Sequence, residues 1–166
     1  MKFYIATRLE NHKQHNLIRD RLVNVYGHEI TYDWTVHGPV WAHGDTPKQR
    51  MDRIQEVAIL ERQGVEQADI VIALLPGGRG THAEIGMALA LGKPTLIQSE
   101  DWRDFAAHPN TCAFYHDPLV YPNVGAFSGF RFDINDHLWG ASSETGRRER
   151  WQRVLSGTYW PIAEEK

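Results

Sequence analysis

Residues 69 to 88 read Asp69-Ile-Val-Ile-Ala-Leu-Leu-Pro-Gly-Gly-Arg-Gly-Thr-His-Ala-Glu84-Ile-Gly-Met-Ala88. Ile70 to Leu75 is an unbroken apolar run of β-type residues, the pattern of a central parallel strand covered on both faces. Pro76-Gly77-Gly78-Arg79-Gly80 breaks it, and Thr81 to Leu91 continues as a helix that Gly92 stops. A strand, a glycine turn and a helix in that order make half of a βαβ unit.

The rest of the chain repeats the alternation. Phe3 to Ala6 predicts a short buried strand, and Lys13 to Tyr26 carries Leu17, Ile18, Leu22 and Val25 at helical spacing before Gly27. Glu29 to Tyr32 predicts a second strand, and Asp33 to Asp45 a loop. Thr46-Pro47 starts a helix that runs to about Gln67, with a capping hydroxyl followed by proline in the first turn. Pro94 to Gln98 and Ala113 to Tyr115 predict two further strands, and Glu144 to Leu155 a last helix. These elements predict a doubly wound, Rossmann/flavodoxin-like α/β domain, a parallel sheet of about five strands with helices on both faces. It is expected to span residues 1–166 as a single domain, with 119–166 a C-terminal extension of no assigned role.

Composition narrows the class. The 166 residues are 42% hydrophobic and 23% charged, enough for one core and too few for two ordinary domains. Eighteen basic against 21 acidic residues give a net charge of −3, which offers no nucleic-acid arm and no basic membrane patch. The lone Cys112 excludes an intramolecular disulfide and a thiolate-rich zinc site. No apolar run approaches the roughly 20 residues of a membrane span, and the first residues do not form a signal peptide. A cytoplasmic protein without metal or other cofactor is expected. Six Trp and nine His are the unusual allotment. His12 and His15 share a helix face without ligand-spaced partners and read as solvated; Asp133, Asp136 and His137 give only a faint metal pattern.

The glycine turn lets backbone N–H groups approach a ligand, and the helix N-terminus behind it adds partial positive charge. Its spacing is neither the P-loop nor the dinucleotide fingerprint. Glu84 has two readings at this point: the second half of a capping box, Thr81-His-Ala-Glu84, or a functional acid. A second carboxylate favours the latter. Glu61 falls inside the apolar stripe Met51, Ile54, Ala58 and Val65, where a charge is costly unless paired, with Arg62 for instance, or used. Two carboxylates converging on such a loop would suit a glycosidic reaction, one as nucleophile and one serving the leaving group.

Pro76-Gly-Gly-Arg-Gly-Thr-His-Ala-Glu84 resembles the Pro-Gly-Gly-x-Gly-Thr-x-x-Glu signature of the cytokinin-activating phosphoribohydrolases and their lysine decarboxylase-like relatives. Thr7-Arg8-Leu9-Glu10-Asn11 is not the second glycine-rich segment of that family. A longer frame is similar to the nucleoside 2-deoxyribosyltransferases: Tyr4-Ile-Ala, Ala68-Asp69-Ile-Val, and Glu84-Ile-Gly-Met-Ala-Leu-Ala-Leu-Gly-Lys-Pro94, covering roughly residues 1 to 98. Both families cut the bond between a base and a sugar. The second resemblance implies that Glu84 is the nucleophile, that the Tyr4 hydroxyl steadies it, and that Glu61 stands where an aspartate usually handles the base and its proton. A further family aspartate, which holds the sugar, would fall near Gly78 or Arg79, and neither replaces it as an acceptor.

The substrate expected is a small nucleoside or nucleotide. Amides of Gly77, Gly78, Gly80 and Thr81 with the charge of Arg79 suit an anion and favour a 5′-phosphate. Thr7 and Arg8 at the end of the first strand could reach sugar or phosphate. Trp34, followed by His37, could stack on a base or close the core as a lid. The mechanism implied is double displacement through a glycosyl ester on Glu84, kept ionised by the nearby helix N-terminus. The rival readings are a nucleotide sensor in which Glu84 only caps its helix, and an NAD glycohydrolase. The resemblance also implies a homo-oligomer, for which the Arg147, Arg148, Arg150, Arg153 and Trp151 face and the tail Tyr159-Trp160-Pro161 are contact candidates.

Overall fold

The computed structural model describes residues 1–36 and 45–130. Five strands, β1 (Lys2–Ala6), β2 (Glu29–Ile30), β3 (Ile70–Leu74), β4 (Thr95–Ser99) and β5 (Val120–Val124), alternate with three helices, α1 (His12–Asn24), α2 (Pro47–Gln67) and α3 (Arg79–Ala90). The strands form one parallel sheet in the order β2-β1-β3-β4-β5. This is a doubly wound order whose direction reverses between β1 and β3, and such sheets bind ligands outside the carboxyl ends of the strands at that reversal.

Strand periodicity divides the core in two. Phe3, Ile5, Ile70, Ile72 and Leu74 pack with Ile18 and Leu22 of α1 on one face. Tyr4, Ala6, Val71 and Ala73 pack with Val65 and Ala68 at the end of α2 and Ile85 and Ala88 of α3 on the other. Each fully buried aliphatic side chain contributes about 1.5–3 kcal/mol relative to an exposed one, so both faces hold the sheet. The expected start of α2 is realised as a full capping box, Thr46 Oγ1 accepting from the Gln49 amide at 3.3 Å while Gln49 accepts from the Thr46 amide at 2.9 Å.

Four local expectations are corrected. Ala113–His116 is a 3₁₀ turn rather than a strand. The fifth strand lies at Val120–Val124, where Pro122 and Asn123 disguise the pattern; among the described residues β5 is a sheet edge, where proline is tolerated because one row of backbone groups has no partner in the sheet. β2 stops at Ile30, and Asp33 then accepts from the Thr35 amide at 2.9 Å and from its hydroxyl, a side-chain turn that competes with further ladder. The apolar stripe of α2 is buried only at its C-terminal end: Met51 is 55% exposed and Ala58 is exposed, whereas Gly64 and Val65 are buried. The helix rests on the sheet by its last turns, so Glu61 stands at the margin of the buried face.

The expected helix at 144–155, the Asp133, Asp136 and His137 cluster, the Arg147–Trp151 face and the Tyr159-Trp160-Pro161 tail lie outside the described residues. Among the described residues no helix is long and apolar enough to cross a membrane.

Candidate active site

The inward face of α3 presents Thr81, Glu84, Ile85 and Ala88 at helical spacing. Three of the four match an ordinary buried stripe; Glu84 does not. Its carboxylate, on a residue only 6% exposed, accepts a 2.6 Å hydrogen bond from the hydroxyl of fully buried Tyr4, 80 residues earlier in the chain. A hydroxyl donating to a carboxylate at this length is a strong, charge-assisted bond. Burial, helped by the field of Glu61, holds the Glu84 carboxyl up at about 7 even though the Tyr4 bond pulls it down. Burial, then the charge of Glu84, drives the Tyr4 phenol far above its ordinary range, so Tyr4 stays a proton donor.

These contacts revise two expectations about Glu84. The helix begins at Arg79 with Gly78 as its N-cap, so Thr81 is the third helical residue and not the cap. Thr81 Oγ1 accepts from the Gly78 amide at 3.1 Å, and Glu84 bonds to Tyr4 rather than back to Thr81. The capping reading of Glu84 therefore fails. Glu84 also lies in the second turn of α3, beyond the first turn where the helix dipole acts strongly, and burial rather than the helix N-terminus dominates its ionisation.

The turn between β3 and α3 is built by close approach. A Cβ on Gly77 would stand 2.8 Å from Thr81 Cγ2, so only glycine fits there. On Gly80 a Cβ would meet nothing within 4 Å, leaving that side of the turn open. The Gly78 amide is occupied by Thr81, so it cannot also serve a ligand. The amides of Arg79, Gly80 and Thr81 have no acceptor among the described residues, as expected of a helix first turn.

Two polar clamps hold the turn in place. Asn11, nearly buried, donates to Thr7 Oγ1 at 3.0 Å and to the Pro76 carbonyl at 3.1 Å, while the Thr7 hydroxyl donates to the Leu74 carbonyl at 3.3 Å. The exit of β1 is thereby tied to the exit of β3. Arg8 donates to Asn11 Oδ1 at 3.4 Å, and its Cβ lies 3.4 Å from where a Gly78 Cβ would stand. On the other flank His82 Nδ1 bonds the Gly78 carbonyl at 2.8 Å and Nε2 meets the Tyr115 hydroxyl at 2.7 Å. Since a carbonyl can only accept, Nδ1 donates to Gly78, and Nε2 is left to pair with the Tyr115 hydroxyl. Thr7, Arg8, Gly77, Gly78 and Thr81 are thus brought together at the exits of β1 and β3, with Arg79 and Gly80 following in the same turn.

Glu61 is half-buried on α2, and desolvation raises its carboxyl above the ordinary range. Its field reaches Tyr4, Tyr32 and Glu84. Arg62, the partner that would have neutralised it, instead pairs with Glu66 at 2.5 Å. Trp34 opens a 3₁₀ turn after β2 and is half-buried, its ring 5.1 Å from that of His15 at an interplanar angle of 59°. His37 lies outside the described residues. The expectation that His15 is solvated is wrong: it is fully buried under Trp34, with Asn16 at 3.3 Å and Asp33 at 4.0 Å, and burial lowers its imidazole pKa. His12 is exposed. Among the described residues no three His, Cys, Asp or Glu side chains are placed to hold a metal ion.

Asn11, His82, Tyr115 and Gly64 escaped the sequence reading. Only the last had a local signal, an isolated glycine inside a helical pattern; the partners of the others come from distant segments.

A doubly wound sheet with a buried, hydroxyl-bonded carboxylate at its reversal point defines an α/β enzyme with an acid poised under a glycine-rich turn. The family can be stated more closely. A family profile described as nucleoside 2-deoxyribosyltransferase matches residues 3–145, and the chain belongs to that family, whose enzymes act at the N-glycosidic bond of nucleosides. Among solved structures it is similar to a 2-deoxyribosyltransferase from Bacillus psychrosaccharolyticus, with 15% identity, a TM-score of 0.50, and coverage of 80% of this chain and 93% of that one. It is also similar to the CMP N-glycosidase BcmB of Clostridium botulinum, with 18% identity, a TM-score of 0.45, and coverage of 75% and 89%. No curated protein matches the sequence.

Proposed function

We propose that the protein cleaves or transfers the N-glycosidic bond of a nucleoside 5′-monophosphate by double displacement, with Glu84 as nucleophile. The observation that carries this reading is the 2.6 Å bond from Tyr4 to a nearly buried Glu84. A hydroxyl donor on one carboxylate oxygen orients the group and leaves the other oxygen to attack. Glu84 attacks the anomeric carbon as the bond to the base nitrogen breaks, and the electron pair leaves with the base. Glu61, held towards its protonated form by desolvation, donates the proton that the departing nitrogen takes up. In the second step a water gives its proton to Glu61 and attacks the same carbon, releasing Glu84; a second base in place of water completes a transfer.

A phosphate is favoured over a bare hydroxymethyl group by the chemistry of the turn. Three amides at the first turn of α3 without an acceptor among the described residues, the charge of Arg79 in that same turn and Arg8, whose Cβ approaches Gly78, would together suit an anion. Trp34 stands at the carboxyl end of β2 as a platform for the base, with His37 following it. No cofactor enters any step. We further place the protein in the cytoplasm as a homo-oligomer; its single cysteine and the exposed apolar Met51 and Ile59 on α2 support this, and light scattering checks the assembly.

The test is a panel of deoxynucleosides, ribonucleosides, their 5′-monophosphates and NAD, assayed for released base with the native protein and with Glu84→Gln. Release from a monophosphate, lost in the variant, is the expected result. Undiminished release by Glu84→Gln overturns the nucleophile, and release from NAD alone overturns the substrate class.

A further inference from the structure

Alanine is preferred to glycine inside a helix by about 1 kcal/mol, so a glycine there needs a reason. Gly64 is buried near the C-terminal end of α2. A Cβ built on it would stand 2.8 Å from both Cδ2 and Cε2 of Tyr4 and 2.9 Å from Cβ of Tyr32, closer than real Cβ atoms come to their neighbours. The ring edge it would strike belongs to the tyrosine that holds Glu84, and that ring is fully buried. The Gly64 carbonyl accepts from Thr31 Oγ1 at 2.8 Å, and Thr31 in turn donates to the Phe3 carbonyl from its amide at 2.9 Å and its hydroxyl at 3.2 Å. The helix is therefore stapled to β1 next to Tyr4. Glu61 lies one turn before Gly64, at the i, i+3 spacing that shares a helix face.

We infer that Gly64 is a positioning residue for the reaction. By letting α2 settle onto the edge of the Tyr4 ring, it fixes the Tyr4 hydroxyl against Glu84 and sets Glu61 opposite the same carboxylate. This rests on the reading of Glu84 as nucleophile. Ordinary helix-to-sheet packing would also favour a small residue, but it would leave the Tyr4–Glu84 coupling untouched once the protein is folded. That difference is measurable.

The groups that face Glu84 are Tyr4 from β1 and Glu61 from α2, with Tyr32 acting on Tyr4. The experiment follows the Glu84 ionisation midpoint by NMR of ¹³C-labelled glutamate carboxyls in the ligand-free full-length protein, with Glu84→Gln assigning the signal. In the native background Tyr4→Phe should raise the midpoint by about one pH unit, the effect of losing a hydrogen bond to the charged form. In a Gly64→Ala background the same change should raise it by less than half as much, because the hydroxyl has already been displaced. Gly64→Ala should also lower kcat roughly tenfold with KM little changed, and Tyr4→Phe should add little on top, as expected of two changes acting through one geometry. Thr31→Val, which removes the bond to the Gly64 carbonyl without adding bulk, should reduce the Tyr4→Phe increment in the same sense but less; it carries the test if Gly64→Ala does not fold. An undiminished increment together with native kcat, in whichever of these variants folds, overturns the inference. The nucleophile reading fails separately, by turnover in Glu84→Gln, whatever the NMR increments are.

Discussion

Glu84 on α3 and Glu61 on α2 are the same residue type in two environments. Both are desolvated, and desolvation raises both. Glu84 also receives a hydroxyl donor, which favours its charged form, yet its burial still holds its carboxyl up at about 7. Glu61 has no hydrogen-bond donor among the described residues, and desolvation raises its carboxyl. The lesson is that depth of burial, more than the hydroxyl donor, sets the ionisation of Glu84, so position rather than a difference in charge state separates the two carboxyls.

The largest effect expected from breaking this pair is on Glu84 itself. Glu84→Gln should lower kcat at least about a thousandfold while the Tyr4 hydroxyl keeps an acceptor. The same variant also reports on burial. Between pH 4.5 and about 7 folded Glu84 holds a proton that the unfolded chain has released, so native stability falls as pH rises through that window, by on the order of 3 kcal/mol. Glutamine has no proton to lose. Thermal unfolding should therefore find Glu84→Gln more stable than the native protein at pH 8, with that difference absent at pH 4.5.

Glu61→Gln comes next. It should reduce kcat by roughly 10²–10⁴-fold for poor leaving bases and far less for a base activated by nitration or quaternisation, which needs no proton. A uniform loss across leaving groups would argue that Glu61 shapes the site without donating. Tyr4→Phe is expected to cost about 10- to 100-fold in kcat, and the acid limb of the pH–rate profile should move upward because Glu84 loses the bond that favours its charge. A downward move would contradict the assigned role of that bond. The smallest effect belongs to the turn: Arg79→Ala should raise KM for a 5′-monophosphate roughly tenfold and leave the free nucleoside unchanged.

The same contrast explains what could be read from the chain beforehand. Local order made the β3–turn–α3 unit plain, because an apolar run, a glycine turn and a helix lie within twenty residues. The capped start of α2 was equally visible at Thr46-Pro47. The partner of Glu84 was not visible in periodicity or composition, since Tyr4 lies 80 residues away and sits in an apolar strand; only the family resemblance pointed to it. β5 was hidden by Pro122 and Asn123, and Ala113–Tyr115 took its place because its residues favour strands while its backbone turns. His15 looked solvated because its burial is supplied by Trp34 and Asp33, which follow a different strand. Glu61 was picked out by a stripe that proves half exposed, and what the structure shows of it is its nearness in charge to Tyr4 and Glu84 rather than a place in a buried face.

Double displacement makes a stereochemical prediction that needs no variant. With methanol present as acceptor, the methyl glycoside first formed can be assigned by proton NMR. Two successive inversions at the anomeric carbon, the first by Glu84 and the second by methanol, must return the β configuration of the substrate. A β-methyl glycoside is the result expected; an α product would mean that the acceptor attacks directly and that no glycosyl ester forms on Glu84.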